Sequence, residues 1–196
     1  MRYGPSHKET TRKRILERAA ALFRREGYRG VGIDRIMAEA DLTRGGFYAH
    51  FPSKSALFAE VLGQETDFVR RLRAARDAHE VISGYLDPEN REKVARGCTL
   101  ATLTNEVPRR DRAARAAFAE QVESLAAELE AHVPAGISDR RARALEAVAL
   151  CVGGISLGRG IADERLAREV LAVCRERACT AISGDDGGRP RSSPRH

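Results

Sequence analysis

The chain has 196 residues, of which 42% are hydrophobic and 32% charged, so it is expected to fold as one domain or two small ones. Aromatic residues make up only 5% and tryptophan is absent, which favours a helical protein rich in alanine, leucine, arginine and glutamate. The longest uncharged run, between Glu146 and Arg159, is too short to span a bilayer, and the polar start contains no secretory signal. Membrane, secreted and fibrous classes are therefore excluded, and a cytoplasmic protein with no membrane partner is expected.

The net charge of +6 is concentrated at the N-terminal end. Residues 1–54 contain twelve basic and six acidic side chains, so the rest of the chain is neutral overall. An excess of this kind can be the footprint of a polyanion, but a solvated charged face is the commoner cause of any such cluster. Charge alone leaves both interpretations open.

Cysteine and histidine spacing gives no sign of a metal site or of catalysis. None of the four cysteines forms a CxxC pair, and the five histidines are scattered without a nucleophile or base at a useful spacing. We therefore expect no metal, no cofactor and no enzymatic activity. In a reducing cytosol the four thiols are expected to stay reduced: Cys98, Cys151, Cys174 and Cys179.

Helical spacing of apolar residues recurs along the chain and predicts an all-α fold of about nine helices. We expect the first helix to end at Gly27, the second to occupy residues 33–40, a short third to run from the N-cap Thr43 to Phe51, and a long fourth to extend from the N-cap Ser53 to Leu72. The remaining five helices are expected at residues 78–86, 98–105 and 118–133, from the N-cap Ser138 to Gly158, and at residues 166–182.

The second and third helices are too short to pack as a unit of their own, and the tight turn between them predicts a helix-turn-helix that enters the major groove of DNA. Asp41 tolerates the left-handed backbone that such a turn needs. Thr43 would present its hydroxyl and the first free N–H groups to a phosphate. Gly45 and Gly46 weaken the helix but allow the backbone to approach DNA closely.

The string Asp41-Leu42-Thr43-Arg44-Gly45-Gly46-Phe47-Tyr48, followed by His50-Phe51, Ser53-Lys54 and Leu57, resembles the TetR family of transcriptional regulators over residues 8–68. The chain departs from the family pattern at Val31-Gly32, Met37 and Asp41, where a Thr/Ser pair, Ala and Gly are common. The resemblance implies a DNA-binding domain at 8–68 and a helical effector-binding and dimerisation domain at 69–183. Residues 184–196 have no anchoring apolar side chain and are expected to be disordered.

Seven residues are candidate DNA contacts. Tyr48 and Lys54 are expected on phosphates, and Arg44 on a base, because a guanidinium can bridge the acceptors of guanine. His50 fits a structural role as well as a phosphate contact. The seven are Thr43, Arg44, Gly45, Gly46, Tyr48, His50 and Lys54.

Two further groups are expected to support this interface. Phe47 and Phe51 are predicted to face inward against Ile15, Ala19 and Phe23. An N-terminal arm is expected to add backbone or minor-groove contacts through three basic residues: Arg2, Arg12 and Lys13.

The resemblance also implies that the last two helices pair with a second copy as a four-helix bundle, giving a homodimer through residues 138–182 that binds a pseudo-palindromic double-stranded operator. Ala144–Gly158 is apolar almost all round, and its glycines permit close helix approach. The alternative is an ordinary core helix.

Members of the family usually hold a small-molecule effector that releases the protein from DNA, and repression is the family's default. The alternative is that the candidate lining residues have only core or surface roles, and that the protein is an architectural DNA-binding module without an effector. The candidates for the pocket are Phe68, Cys98, Thr102, Asn105, Phe118, Gln121 and Val122.

Cys98 has a second interpretation. It follows Gly97 at the start of a short helix beside Arg96, and both features would lower a thiol pKa. This arrangement suits a redox or electrophile sensor, as in some members of the family. A buried cysteine acting as a small hydrophobe is the commoner case.

Overall fold

A computed structural model describes residues 5–95 and 97–184, and in these ranges the chain contains helices and no β-strand, which confirms the all-α class. The α-helices are α1 Pro5–Gly30, α2 Ile33–Glu39, α3 Lys54–Gly63, α4 Asp67–Ala74, α5 Ala78–Tyr85, α6 Pro88–Glu92, α7 Thr99–Leu103, α8 Arg112–His132, α9 Arg140–Gly160 and α10 Glu164–Ser183. Two 3₁₀ helices lie at Arg44–Ala49 and Val107–Arg109. Residues 185–196 of the predicted tail and Arg96 lie outside the described residues.

The described residues form ten α-helices rather than the predicted nine or so. The expected long fourth helix is wrong, because the backbone becomes extended at Gln64 and the Thr66 hydroxyl accepts a hydrogen bond from the Val69 N–H, which starts α4 as a separate helix. The short helix α6 was missed; it begins at Pro88 with Asp87 as its N-cap. The predicted third helix is present as the 3₁₀ helix Arg44–Ala49.

Two hydrophobic cores meet at Phe118, which packs against both. The N-terminal core joins α1, α2, the first 3₁₀ helix and α3, and it also includes Leu103, Val107 and Ala114 from later in the chain. The C-terminal core joins α4, α5 and the start of α7 to α8, α9 and α10. Because α7, the second 3₁₀ helix and the start of α8 contribute to the N-terminal core, a shift of these segments reaches the helix-turn-helix directly.

Gly27 lies close to the later part of the chain. Its φ of 70° interrupts α1, and a Cβ there would lie 2.7 Å from Oε1 of Glu106. The guanidinium of Arg110 lies over the Tyr28 ring at 4.2 Å. The predicted stop at Gly27 is thus present as a kink, and only glycine meets both the backbone and the space requirement.

Within the described ranges, no helix has both the length and the apolar run needed to cross a membrane. All four cysteines have free thiols.

Candidate nucleic-acid interface

The turn between α2 and the first 3₁₀ helix depends on Asp41. This residue has a φ of 54°, and it is the one non-glycine residue with positive φ in the described part of the chain. The prediction of a left-handed Asp41 is confirmed. The Leu42 N–H then bonds to the Met37 carbonyl at 2.9 Å, which closes the turn and turns the chain toward Thr43.

The segment Arg44–Ala49, which we call the recognition helix, has one buried and one exposed side. Phe47 is fully buried, with its ring centroid 5.9 Å from that of Phe51. Both rings belong to the core that contains Ile15, Ala19 and Phe23, so their predicted inward packing is confirmed. The helix is therefore held by a single aromatic anchor while its other side chains point away from the protein.

The exposed side carries Thr43, Arg44, Gly45 and Tyr48. Tyr48 is 61% exposed, which is unusual for an aromatic ring in a protein with few of them. Arg44 donates through Nη1 to Oδ2 of Asp34 at 3.0 Å, and both side chains are about two-thirds exposed. Such an exposed pair is weak, so Arg44 can exchange Asp34 for another acceptor at little cost.

Neither the backbone conformation nor the packing of the protein requires glycine at Gly45 or Gly46 of the recognition helix. A Cβ on Gly45 would meet nothing within 4 Å, and one on Gly46 would make an ordinary 3.6 Å contact with Met37 Cε. Neither has positive φ. Glycine lowers helix stability, so its presence here favours close approach of an external partner.

His50 and Lys54 lie at the edge of this surface, with roles inside the protein. Burial, together with the positive charges of Lys8 and Arg12, lowers the pKa of His50, and its Nδ1 is buried without a partner in the described structure. Lys54 donates from Nζ to the carbonyls of Tyr28 and Val31, each at 2.8 Å.

The Lys54 ammonium also lies 4.1 Å from the centre of the Tyr28 ring. These contacts secure the segment between α1 and α2 to the start of α3, a structural role that sequence reasoning missed. Burial is the main cause of the lowered pKa of Lys54, with Arg110 adding to it.

Two of the three residues predicted for an N-terminal arm, Arg12 and Lys13, lie within helix α1. Arg12 lies over the Phe51 ring at 4.5 Å and forms an ion pair with Glu60, so it supports the fold of the interface. Lys13 is exposed, and Arg2 lies outside the described residues.

Of the seven predicted pocket residues, Phe68 and Cys98 line one cleft of about 170 Å³ between α1, α4, α5 and the segment before α7. The other five do not line this cleft, and their role in ligand binding stays a prediction. Asn105 is exposed, Thr102 accepts from Arg159 Nη1, Gln121 donates to the Gly63 carbonyl, and Phe118 and Val122 pack against the cores.

Sequence reasoning missed Arg24 and Tyr85, which also line this cleft. Arg24 sits inside the first helix next to the buried Phe23, and a charged residue at such a position is a signal that could have been noticed.

Residues 15–61 match the model of the bacterial regulatory proteins of the tetR family. The chain is 33% identical over 92 residues to the HTH-type transcriptional regulator LmrA of Bacillus subtilis, a match that covers 44% of this chain and 46% of LmrA. It is 48% identical over 54 residues to the HTH-type transcriptional repressor SCO4008 of Streptomyces coelicolor, covering 28% of each chain. The chain thus spans less than half the length of these relatives.

A solved structure of a TetR-family transcriptional regulator from Cytophaga hutchinsonii superimposes with a TM-score of 0.72 over 90% of this chain and 96% of that one, at 21% identity. At this level of identity, the similarity shows a shared fold. It covers 90% of this chain and therefore includes the C-terminal helices as well as the helix-turn-helix. By the match of residues 15–61, the N-terminal part of the chain belongs to the bacterial regulatory proteins of the tetR family.

Proposed function

We propose that this protein is a sequence-specific DNA-binding repressor that acts in the cytoplasm, binds a pseudo-palindromic operator as a homodimer and is released by a small-molecule effector. The observation that carries the proposal is the recognition helix, anchored by the buried Phe47 and presenting Thr43, Arg44, Gly45 and Tyr48 outward. No role in folding accounts for that combination of exposed side chains and glycines. The DNA-binding domain would comprise residues 8–68 and the effector and dimerisation domain residues 69–183.

Base reading is assigned to Arg44. We expect Arg44→Ala to lose about 1–3 kcal/mol of discrimination at one base position, because a bidentate contact to guanine is removed. Stability should change little, since the pair with Asp34 is exposed. Competition binding against operator variants measures the discrimination. Tyr48→Phe is the matched variant, and it should weaken binding to all sequences alike; unchanged discrimination in Arg44→Ala would contradict the assignment.

Close approach of DNA is assigned to Gly45. We expect Gly45→Ala to fold normally, because its Cβ meets nothing within 4 Å, and to bind the operator about tenfold more weakly, because one close backbone contact is blocked. Gly136→Ala is the control, since a Cβ there also meets open space in a loop between α8 and α9. Equal operator affinity of the two variants would contradict the proposal that DNA approaches the backbone at Gly45.

Self-association is assigned to α9 and α10, which pack against each other. Among the described residues, four of the five exposed large apolar side chains lie on these two helices: Leu145, Leu157, Leu166 and Val173. On α9, Leu145, Ala149, Gly153 and Leu157 form a ridge with a spacing of four, the kind of ridge that packs into the groove of another helix. An exposed apolar surface of this kind favours a twofold partner.

A second candidate function is thiol-based sensing through Cys98. This thiol lines the cleft and is 9% exposed. Cys174 and Cys179 are more exposed, but burial raises the pKa of both thiols, as it does for the buried Cys151. If Cys98 is the sensor, hydrogen peroxide, which oxidises a single thiol to a sulfenic acid, should release operator DNA from the wild type and not from Cys98→Ser. Cys174→Ser should respond like the wild type. An intact response in Cys98→Ser would contradict the sensor role and leave Cys98 as a buried core residue.

An architectural DNA-binding protein would differ from a repressor in having little preference for any DNA sequence. We propose to select binding sites from a random duplex library with the full-length protein. Enrichment of an inverted repeat would support the repressor, because two recognition helices related by a twofold axis read two half-sites. Enrichment of no sequence would favour architectural binding.

A further inference from the structure

The cleft that contains Phe68 and Cys98 has an aromatic wall and a small volume. The rings of Phe68 and Tyr85 are stacked, with centroids 4.0 Å apart and planes 15° from parallel. The volume of about 170 Å³ is close to that of a cavity known to hold one benzene ring, about 150 Å³. The cleft therefore has room for a small ligand, about the size of a single ring or a short branched chain.

Arg24 brings a positive charge from α1 into this cleft. Its Nε donates to the Ala95 carbonyl at 2.8 Å and its Nη1 to the Thr99 hydroxyl at 3.2 Å. A guanidinium has five N–H groups, so three of them have no partner among the described residues. Within the same ranges, no carboxylate forms an ion pair with Arg24 or with Arg71, which also lines the cleft.

The two acidic residues of the cleft do not neutralise Arg24. Glu65 forms an ion pair with Arg73, and Asp67 forms one with Arg70. Both carboxylates are exposed at the rim. The inner part of the cleft therefore keeps an uncompensated positive charge.

Nη2 of Arg159, next to the cleft, is buried without a partner in the described structure, and the buried hydroxyl of Tyr85 has only the thiol of Cys98, a weak partner, beside it. Tyr85 is 5% exposed and lines the cleft. Arg159 packs against Gly97, another lining residue. Burial lowers the pKa of Arg24 and of Arg159, as expected for cations that lack an anion. A buried donor without an acceptor destabilises the folded protein, and a bound acceptor would recover that cost.

We propose that this cleft binds a small organic carboxylate, whose carboxylate group accepts from Arg24 and Tyr85 and whose apolar body packs against Phe68. As an account of the effector, this inference rests on the proposed function. Arg24 also holds α1 to Ala95 and Thr99, so a carboxylate on its remaining N–H groups is joined to α1 through the same side chain. Binding therefore adds a link between the cleft and the helix that supports the interface.

Isothermal calorimetry with the full-length protein tests the proposal without DNA. The probes are benzoate, phenylacetate and isobutyrate, each compared with its amide, and inorganic phosphate. We expect at least one acid to bind about tenfold or more tightly than its amide and than phosphate, because a charge-assisted hydrogen bond is lost in the amide. No preference for the acid in all three pairs, or equal binding of phosphate, would overturn the proposal.

Two variants assign the residues. Arg24→Gln should weaken binding of the preferred acid about tenfold or more, and Arg25→Gln, which changes an exposed arginine on the same helix, should leave it unchanged. Tyr85→Phe should also weaken binding, because it removes the hydroxyl that would donate to the carboxylate. Wild-type affinity in Arg24→Gln would contradict the site.

A separate assay of operator binding without any carboxylate keeps the two proposals apart. If the protein binds a carboxylate but no operator, the proposed repressor function is contradicted and the carboxylate site is supported. If it binds an operator but does not prefer the acids, the carboxylate site is contradicted and the repressor function is supported.

Discussion

Leu157→Glu is expected to make the protein monomeric and to lower its operator affinity more than about a hundredfold. Leu157 is 58% exposed on α9, at one end of the ridge that begins at Leu145. A glutamate there would place an uncompensated charge in an apolar interface. Each recognition helix would then bind its half-site alone, and the gain from linking two binding events, about 10²–10⁴, would be lost.

Light scattering after size exclusion measures the mass, and fluorescence anisotropy at the same protein concentration measures the affinity. Ala127→Glu is the control, because it places the same charge on an exposed position of α8 outside α9 and α10. A dimeric Leu157→Glu that still binds the operator would show that the pairing surface lies elsewhere.

Phe47→Ala is expected to destabilise the protein by about 3–5 kcal/mol, the usual loss when a fully buried aromatic ring is removed. The adjacent ring of Tyr48 is 61% exposed, so Tyr48→Ala should change the free energy of unfolding by about 1 kcal/mol or less. Both variants should bind DNA more weakly, the first through loss of the anchor and the second through loss of a contact.

Urea unfolding followed by circular dichroism compares the two variants, at one protein concentration because dimerisation contributes to stability. Similar losses of stability in both variants would contradict the assignment of Phe47 as the anchor of the recognition helix.

The N-terminal domain could be predicted closely because its signals are local. The left-handed turn follows from Asp41 between two short apolar patterns, and the inward packing of Phe47 and Phe51 follows from their spacing relative to the first helix. Lys54 shows the limit of this reasoning. Sequence spacing gives a charged residue at the start of a helix, but its carbonyl partners at Tyr28 and Val31 are set by tertiary packing.

The cleft could be predicted only in part, because its residues come from distant parts of the chain. Phe68 and Cys98 were found as apolar members of helices near one another, whereas Arg24 reaches the cleft from the opposite domain. Asn105 was chosen for its amide, and the chain turns it toward solvent at the end of α7. The break at Gln64–Thr66 was missed because apolar spacing continues across it, although Thr66 is a good N-cap.

The most direct test of the account is fluorescence anisotropy of the full-length protein on DNA from upstream of its own gene, with an unrelated duplex as control, at two salt concentrations. A dimer that contacts about six to ten phosphates should lose affinity steeply with salt on both duplexes while keeping a large preference for one of them. If the protein binds the two duplexes equally and loses both at the higher salt concentration, sequence-specific recognition at this site is contradicted. No binding at either salt concentration would contradict the assignment of the helix-turn-helix as a DNA-binding surface.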